Sequence, residues 1–257
     1  MRAIVVAAPP AHHIAMNTEL PKPVELSLPQ ALLLLATNDR DGKPEVPVFA
    51  LRTAVAGAIL AELDMLGAIE LQGKHVRATG TTPQTDLEHE LEVIRGKSRP
   101  HTPQRWVSIL EGHAPVQRIY EGMVSRGIVE RTGDKHLGLF RSVRYPEKDH
   151  APEAALLDRI RAVFTAPPET GVADEPAAEA TGAGTPAATP GSSKPKGPDT
   201  RTLALIALLQ AAGLLPKLFP DADRVWADEL AKDYWPARAV EDELRLTRLG
   251  EEEAATL

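Results

Sequence analysis

Apolar residues recur along most of the chain at spacings of three and four, a pattern that predicts a mainly helical protein. Segment 31–36 is apolar on every side and predicts a core helix, segment 51–66 predicts a strong helix whose small residues let another helix pack closely, and segment 203–215 is the longest apolar segment. Ser27 and Gln30 have capping-box spacing before the first of them. The third segment contains Gln210 and is shorter than the roughly 20 residues of a membrane span, so we interpret it as a core helix.

Further helices are predicted where apolar residues fall on one face only. The pattern around Val116, Ile119, Tyr120, Met123 and Val124 predicts a helix that Gly127 ends. Segment 82–94 opens with turn residues and continues as a predicted helix. Similar patterns predict helices over 103–110 and 153–164, a helix through Val225, Trp226 and Leu230, and a charged helix from Pro236 to about Leu249.

A helix, a glycine and a β-hairpin follow one another twice, which suggests an internal structural repeat. In the first case Gly67 is followed by strands at 69–71 and 75–79 with a turn at 72–74. In the second, Gly127 is followed by Ile128 and Val129, a predicted turn at 132–134 and a return through Leu137, Leu139 and Phe140. The predicted fold is a single, mainly α domain with short β-hairpins, of which the second projects and is basic.

Composition divides this domain into parts. Residues 1–24 predict an irregular tail, 25–165 a helical core with hairpins, 200–249 the remaining core helices and 250–257 a second tail. Residues 166–199 are rich in Ala, Pro and Gly and contain too little apolar surface to offset the entropy of ordering, which predicts a disordered linker or insertion. Hydrophobic residues make up 43% of the chain, enough for a sizeable core.

Charge is unevenly distributed. The net charge is −7, but residues 95–150 hold 11 basic and 6 acidic side chains, against 7 and 12 in 1–94 and 11 and 18 in 151–257. A local basic surface on an acidic protein favours contact with an anionic partner. The candidate lipid-binding residues are Arg118, Arg126, Arg131, Lys135, Phe140, Arg141 and Arg144.

Motifs of catalysis and of cofactor or metal binding are missing from the sequence. The chain has no cysteine, which excludes disulfides, thiol catalysis and Cys-based zinc sites. The segment 67–75 has five residues between its glycines and ends in His75, so it does not match a P-loop, and the histidines lack metal-ligand spacing. We therefore predict a protein that is not an enzyme, with no cofactor and no metal site, since only residues distant in sequence could form one.

Six segments resemble, in the same order, the Golgi phosphoprotein 3 family: LSLPQALLLLATNDRDGKP, AVAGAILAELDMLGAIEL, TPQTDLEHELEVI, RWVSIL, MVSRGIVERTGDKHLGLF and DTRTLALIALLQAAGLL. The resemblance covers about 26–164 and 199–219, and the Ala-rich composition looks like that of a bacterial-type relative. It implies a mostly helical domain with a projecting hairpin, peripheral attachment to membranes, and binding of phosphatidylinositol 4-phosphate and of the cytosolic tails of glycosyltransferases.

The family's head-group pocket uses a tryptophan and three arginines, and the matching positions here hold Pro47, Ala56, His113 and Val116. The family's apolar hairpin, which enters the bilayer, matches 137–140, next to a charged segment. The resemblance thus carries over the fold but not the residues that recognise the phosphoinositide.

Three functional hypotheses follow. The first is a cytoplasmic, peripherally membrane-associated binding protein whose basic hairpin contacts anionic lipid, phosphoinositides included. The second is a winged-helix-like nucleic-acid binder, opposed by the acidic remainder of the chain and by Glu121. The third is a scaffold that binds the peptide tails of membrane proteins without lipid.

Overall fold

The structure is a computed structural model that describes residues 25–133, 143–165 and 199–255. The predicted N-terminal tail, the return strand at 137–140 and nearly all of the predicted linker lie outside these residues. Within them the protein is mainly α, as predicted, with two separate antiparallel strand pairs. The helices are α1 (Leu28–Leu35), α2 (Val48–Met65), α3 (Glu88–Arg95), α4 (Pro103–Leu110), α5 (His113–Ser125), α6 (Ala151–Thr165), α7 (Thr200–Ala211), α8 (Leu215–Leu218), α9 (Arg224–Asp233) and α10 (Trp235–Ala255).

The centre of the core is α2, which packs against α1, α4, α7 and α10. Its residues from Ala50 to Leu63 are almost all buried, and α1 and α7 are buried to a similar extent. The predictions of core helices at 31–36 and 203–215 and of a closely packed helix at 51–66 are therefore confirmed. At the start of α1, Ser27 N donates to Gln30 Oε1 at 3.2 Å, the backbone half of the predicted capping box.

The first predicted hairpin is confirmed. Strands β1 (Ile69–Gln72) and β2 (His75–Ala78) pair antiparallel, with Gln72 opposite His75 across the turn. Ile69 and Val76 face the core, whereas most of the other side chains are exposed. The hairpin is therefore a short cover over α3 and the end of α2.

The predicted turn at 132–134 is wrong. Thr132 and Gly133 form strand β3 (Thr132–Gly133), which pairs antiparallel with β4 (Val143–Arg144), and the ladder continues through a bridge between Val129 and Glu147. Thr and Gly favour turns locally, but here pairing with a distant segment determines their conformation. Residues 134–142, between the two strands, lie outside the described ranges, so the projecting basic hairpin stays a prediction.

Other boundaries differ from the predictions in smaller ways. The helix predicted within 82–94 is α3, which starts at Glu88 after the predicted turn residues, where Thr85 Oγ1 accepts from Leu87 N. A short helix, α8, lies where the prolines at 216 and 220 predict an interruption of helical structure. The last helix continues to Ala255, past the expected end near Leu249 and into the predicted tail.

The two helix–glycine–strand units end their helices in the same way. The first unit is α2, Gly67, β1 and β2, and the second unit is α5, Gly127, β3 and β4. Gly67 and Gly127 have φ of 66° and 73°. Each donates to a carbonyl three residues back, and the next residue donates to a carbonyl five back, the two bonds of a Schellman motif.

Candidate functional site

Arg131 and Arg144 are the two predicted lipid-binding residues at the base of the second hairpin. Arg131 immediately precedes β3, its side chain is 53% exposed, and Nη1 lies 3.9 Å from Glu121 Oε1 on α5. Thr132 pairs with Arg144 in the ladder. Since successive side chains of a strand point to opposite faces, Arg131 and Arg144 lie on opposite faces of the ribbon. The structure therefore does not gather them on one flat surface.

Arg118 forms an ion pair with a buried carboxylate. Its Nε atom donates to Glu90 Oε1 at 3.1 Å, and Nη2 contacts the same oxygen. The Glu90 side chain on α3 is only 3% exposed, while that of Arg118 on α5 is 40% exposed. Because a buried carboxylate requires a partner, this arginine is needed to hold α3 against α5.

Arg126 links the end of α5 to the start of α1. Nη1 donates to Gln30 Oε1 at 2.7 Å, and Nη2 donates to the carbonyl oxygen of Glu25 at 2.8 Å. The guanidinium group thus stabilises the helix junction. The other three predicted lipid-binding residues, Lys135, Phe140 and Arg141, lie outside the described residues.

The four positions of the implied head-group pocket do not supply the chemistry of an anion site. Pro47 is exposed before α2, Ala56 is fully buried, His113 is the exposed first residue of α5, and Val116 is half-buried against the core. A large cation is missing from all four positions, where an arginine would bind a phosphate bidentately.

A carboxyl group lies among these positions instead. Glu111 directly follows α4, two residues before α5, and its Oε2 accepts from Thr53 Oγ1 of α2 at 2.8 Å. Burial raises the pKa of Glu111; the bond from Thr53 opposes the rise and the nearby charge of Glu243 adds to it. A carboxyl group at this point repels a phosphate, so this region does not fit a phosphoinositide head group.

The sequence model of the Golgi phosphoprotein 3 (GPP34) family matches residues 28–247, which is most of the chain. The chain belongs to the Golgi phosphoprotein 3 family. The match spans all ten helices of the described residues, although the last continues beyond it. Within the described ranges, none of these helices is both long enough and apolar enough to cross a bilayer.

This member of the Golgi phosphoprotein 3 family also has a polar cleft of about 510 Å³ near the start of α1. At its base, Glu62 of α2 accepts from Leu28 N at 2.7 Å and from Arg201 Nη1 and Nη2 at 2.6 and 3.0 Å. Gln30 Nε2 donates to Asp86 Oδ2 at 2.7 Å on another side. These bonds fix α1 against α2 and α7, so the network first of all stabilises the fold.

Sequence reasoning did not identify the pair of Glu62 and Arg201. A signal was present, because each is a charged residue in or next to a helix that is otherwise apolar. Charged side chains are almost never buried without a partner, so such a residue predicts an opposite charge nearby. The identity of the partner, 139 residues away along the chain, depends on the fold.

Proposed function

We propose that this chain is a peripheral membrane-associated binding protein, active at the cytoplasmic face of a membrane, that contacts anionic lipid through residues 131–144. Family membership supports a binding protein of the Golgi phosphoprotein 3 type rather than an enzyme. The observation that carries the lipid contact is the exposed Arg131 at the base of a connection that contains Lys135, Phe140 and Arg141.

The arrangement of the arginines favours an end-on approach. Arg131 and Arg144 lie on opposite faces of the ribbon, so a membrane that touched one face would attract only one of them. Approach along the strand direction brings both faces near the lipid head groups. Arg118 and Arg126 contribute little to this contact, because their guanidinium groups bind Glu90 and Gln30.

The expected attraction is electrostatic and lacks phosphoinositide specificity. Each basic residue near an anionic surface contributes about 1 kcal/mol, and salt screens the attraction over about 10 Å. Glu111 lies among the positions that the family uses for the head group. We therefore propose that overall lipid charge, more than the identity of the head group, determines binding.

Nucleic acid is the less favoured partner. A winged-helix protein would use the helix before the hairpin to contact phosphates, but the two arginines of that region, Arg118 and Arg126, are bound within the protein. Glu121 on the same helix would repel phosphates.

Vesicle sedimentation tests the proposal. We expect the full chain to bind vesicles of phosphatidylcholine with phosphatidylserine at low salt, to dissociate at high salt, and to ignore pure phosphatidylcholine. Vesicles with phosphatidylinositol 4-phosphate at matched charge should bind equally well. Charge reversal at Arg131, Lys135 and Arg141 should lower affinity on the order of a hundredfold, at about 1 kcal/mol for each residue.

A matched control uses exposed basic residues of the first hairpin and of the segment after α3. Reversal of the exposed Lys74, Arg77 and Lys97 changes the net charge by the same amount and should lower affinity much less. Equal losses in the two triple variants would show that net charge, and not residues 131–144, causes binding. Absence of binding to anionic vesicles at low salt would reject the proposal, and a shift of nonspecific DNA under the same conditions would favour nucleic acid.

A further inference from the structure

Three side chains of types that can bind a metal ion lie close together. One is in the turn after α1, one follows β4, and one directly precedes α6. Asp39, Glu147 and His150 each place a ligand atom within 4.8 Å of the other two. We call them the carboxylate–imidazole cluster. Two atoms bound at about 2.1 Å to one ion are at most about 4.2 Å apart, so only small side-chain movements are needed to bind an ion.

The backbone around the cluster is held closely. Glu147 N donates to the carbonyl oxygen of Asp39 at 3.3 Å, which joins the turn after α1 to the residues that follow β4. A Cβ on Gly42 would lie 2.6 Å from the nitrogen atoms of Tyr145 and Pro146, so only glycine allows this approach. The positions of Asp39 and Glu147 are therefore fixed by the fold before any ligand arrives.

Glu147 is the residue that points to a ligand. Its side chain is only 2% exposed, and one oxygen, Oε2, contacts His150 Nδ1. The other oxygen, Oε1, is buried and accepts no hydrogen bond from an N–H or hydroxyl group of the described residues. A buried carboxylate oxygen without a partner is costly, and a cation is the strongest partner that it can have.

A third carboxyl group, that of Glu153, lies beside the cluster and holds a proton at neutral pH that a bound cation would displace. Glu153, in the first turn of α6, faces Asp39 and Glu147, and burial followed by these two neighbours raises its pKa to about 8. The cluster borders a cleft of about 360 Å³ that Asp39 and Glu153 help to line, and the imidazole of His150 is 72% exposed. An ion can therefore reach the site from solvent.

We propose that Asp39, Glu147 and His150 form a binding site for one divalent transition-metal ion of the zinc type. One imidazole nitrogen with two carboxylate oxygens is a donor set that suits Zn²⁺, whereas Mg²⁺ and Ca²⁺ favour oxygen alone. The ion replaces the direct contact between His150 Nδ1 and Glu147 Oε2, and Glu153 is positioned to act as a further oxygen ligand. Bound metal joins the turn after α1 to α6.

Isothermal titration of the metal-free full chain with Zn²⁺ tests the site. We expect one ion per chain and a melting temperature that rises with the concentration of Zn²⁺. His150→Ala should weaken binding by more than the roughly tenfold that loss of an outer partner of a metal ligand causes. Because His150 is largely exposed, this variant keeps the fold.

Two further comparisons make the test decisive. His12→Ala with His13→Ala removes the paired histidines near the N-terminus and should leave binding unchanged, and Glu147→Gln should weaken it as His150→Ala does. Mg²⁺ and Ca²⁺ should not raise the melting temperature. Equal affinity of His150→Ala and the parent, loss of the ion in the N-terminal variant, or an equal response to Mg²⁺ would each overturn the proposal.

Discussion

The helix of the first unit is enclosed by other helices, whereas the helix of the second unit buries one side only. Of the 18 residues of α2, 13 are buried, against 4 of the 13 residues of α5. The first hairpin has four residue pairs and a tight turn, while β3 and β4 share two pairs around residues 134–142. The same local design is thus largely buried in one unit and largely exposed in the other.

Each of these helices also makes one ion pair that contains a buried carboxylate, and these pairs differ in exposure. Glu62 of α2 is 6% exposed and binds Arg201, whose side chain is 26% exposed. In the second unit, Glu90 is 3% exposed but its partner, Arg118 of α5, is 40% exposed. Arg118 is therefore better hydrated when its partner is lost.

The largest expected effect is that of Glu62→Gln. Breaking a buried ion pair costs about 3 to 5 kcal/mol, and we expect a loss of about 3 kcal/mol in the free energy of unfolding because Arg201 keeps some contact with water. Glu90→Gln should cost clearly less. Urea denaturation measures both, and Glu92→Gln, in an exposed pair, is the control with a change within about 0.5 kcal/mol.

A larger loss in Glu90→Gln than in Glu62→Gln would reverse the comparison. It would show that the ion pair of the second unit, and not that of the first, is the more important for the fold. The second hairpin would then be better described as a structural element.

The next effect distinguishes two helical glycines. A Cβ on Gly57 of α2 would lie 2.2 Å from Val240 Cγ2 and 3.3 Å from the carbonyl oxygen of Pro236, where α10 crosses closely. A Cβ on Gly122 of α5 would have only Gln30 Nε2 nearby, at 3.6 Å. We expect Gly57→Ala to destabilise by about 1 to 3 kcal/mol through overpacking. Gly122→Ala should stabilise by up to about 1 kcal/mol through helix propensity.

Thermal and urea denaturation of these two variants provide the measurement, and each variant is the control for the other. Stabilisation by Gly57→Ala would mean that α10 moves away from α2 easily. The central position of α2 in the core would then explain less of the stability than the structure implies.

Much of the fold follows from local sequence. Spacing of apolar residues places the helices because a helix presents every third or fourth residue to the same neighbour. Gly67 and Gly127 mark helix ends, since the left-handed conformation favours glycine. The first hairpin is also local, with its strands joined by a short turn that the sequence displays directly.

The candidate sites were less predictable because their contacts are not local. The resemblance to the family, read position by position, indicated that Pro47 and Ala56 replace the pocket residues. The resemblance did not indicate that Glu111 lies near these positions, because that depends on the packing of α2 against the segment before α5. Likewise, Asp39 and Glu147 come together only because the turn after α1 is hydrogen-bonded to the residues that follow β4.

The smallest effect tests what the two units share. Gly67 and Gly127 both have positive φ, and an added Cβ at either position would meet no atom of the described residues within 4 Å. Gly67→Ala and Gly127→Ala should therefore cost only the strain of the left-handed conformation, about 1 kcal/mol each, and the two costs should be equal in urea denaturation. A much larger cost for Gly67→Ala would show that the end of α2 resists adjustment more than that of α5. Since the environments of the two glycines are equally open, the difference would then come from the rigidity of the first hairpin compared with the second.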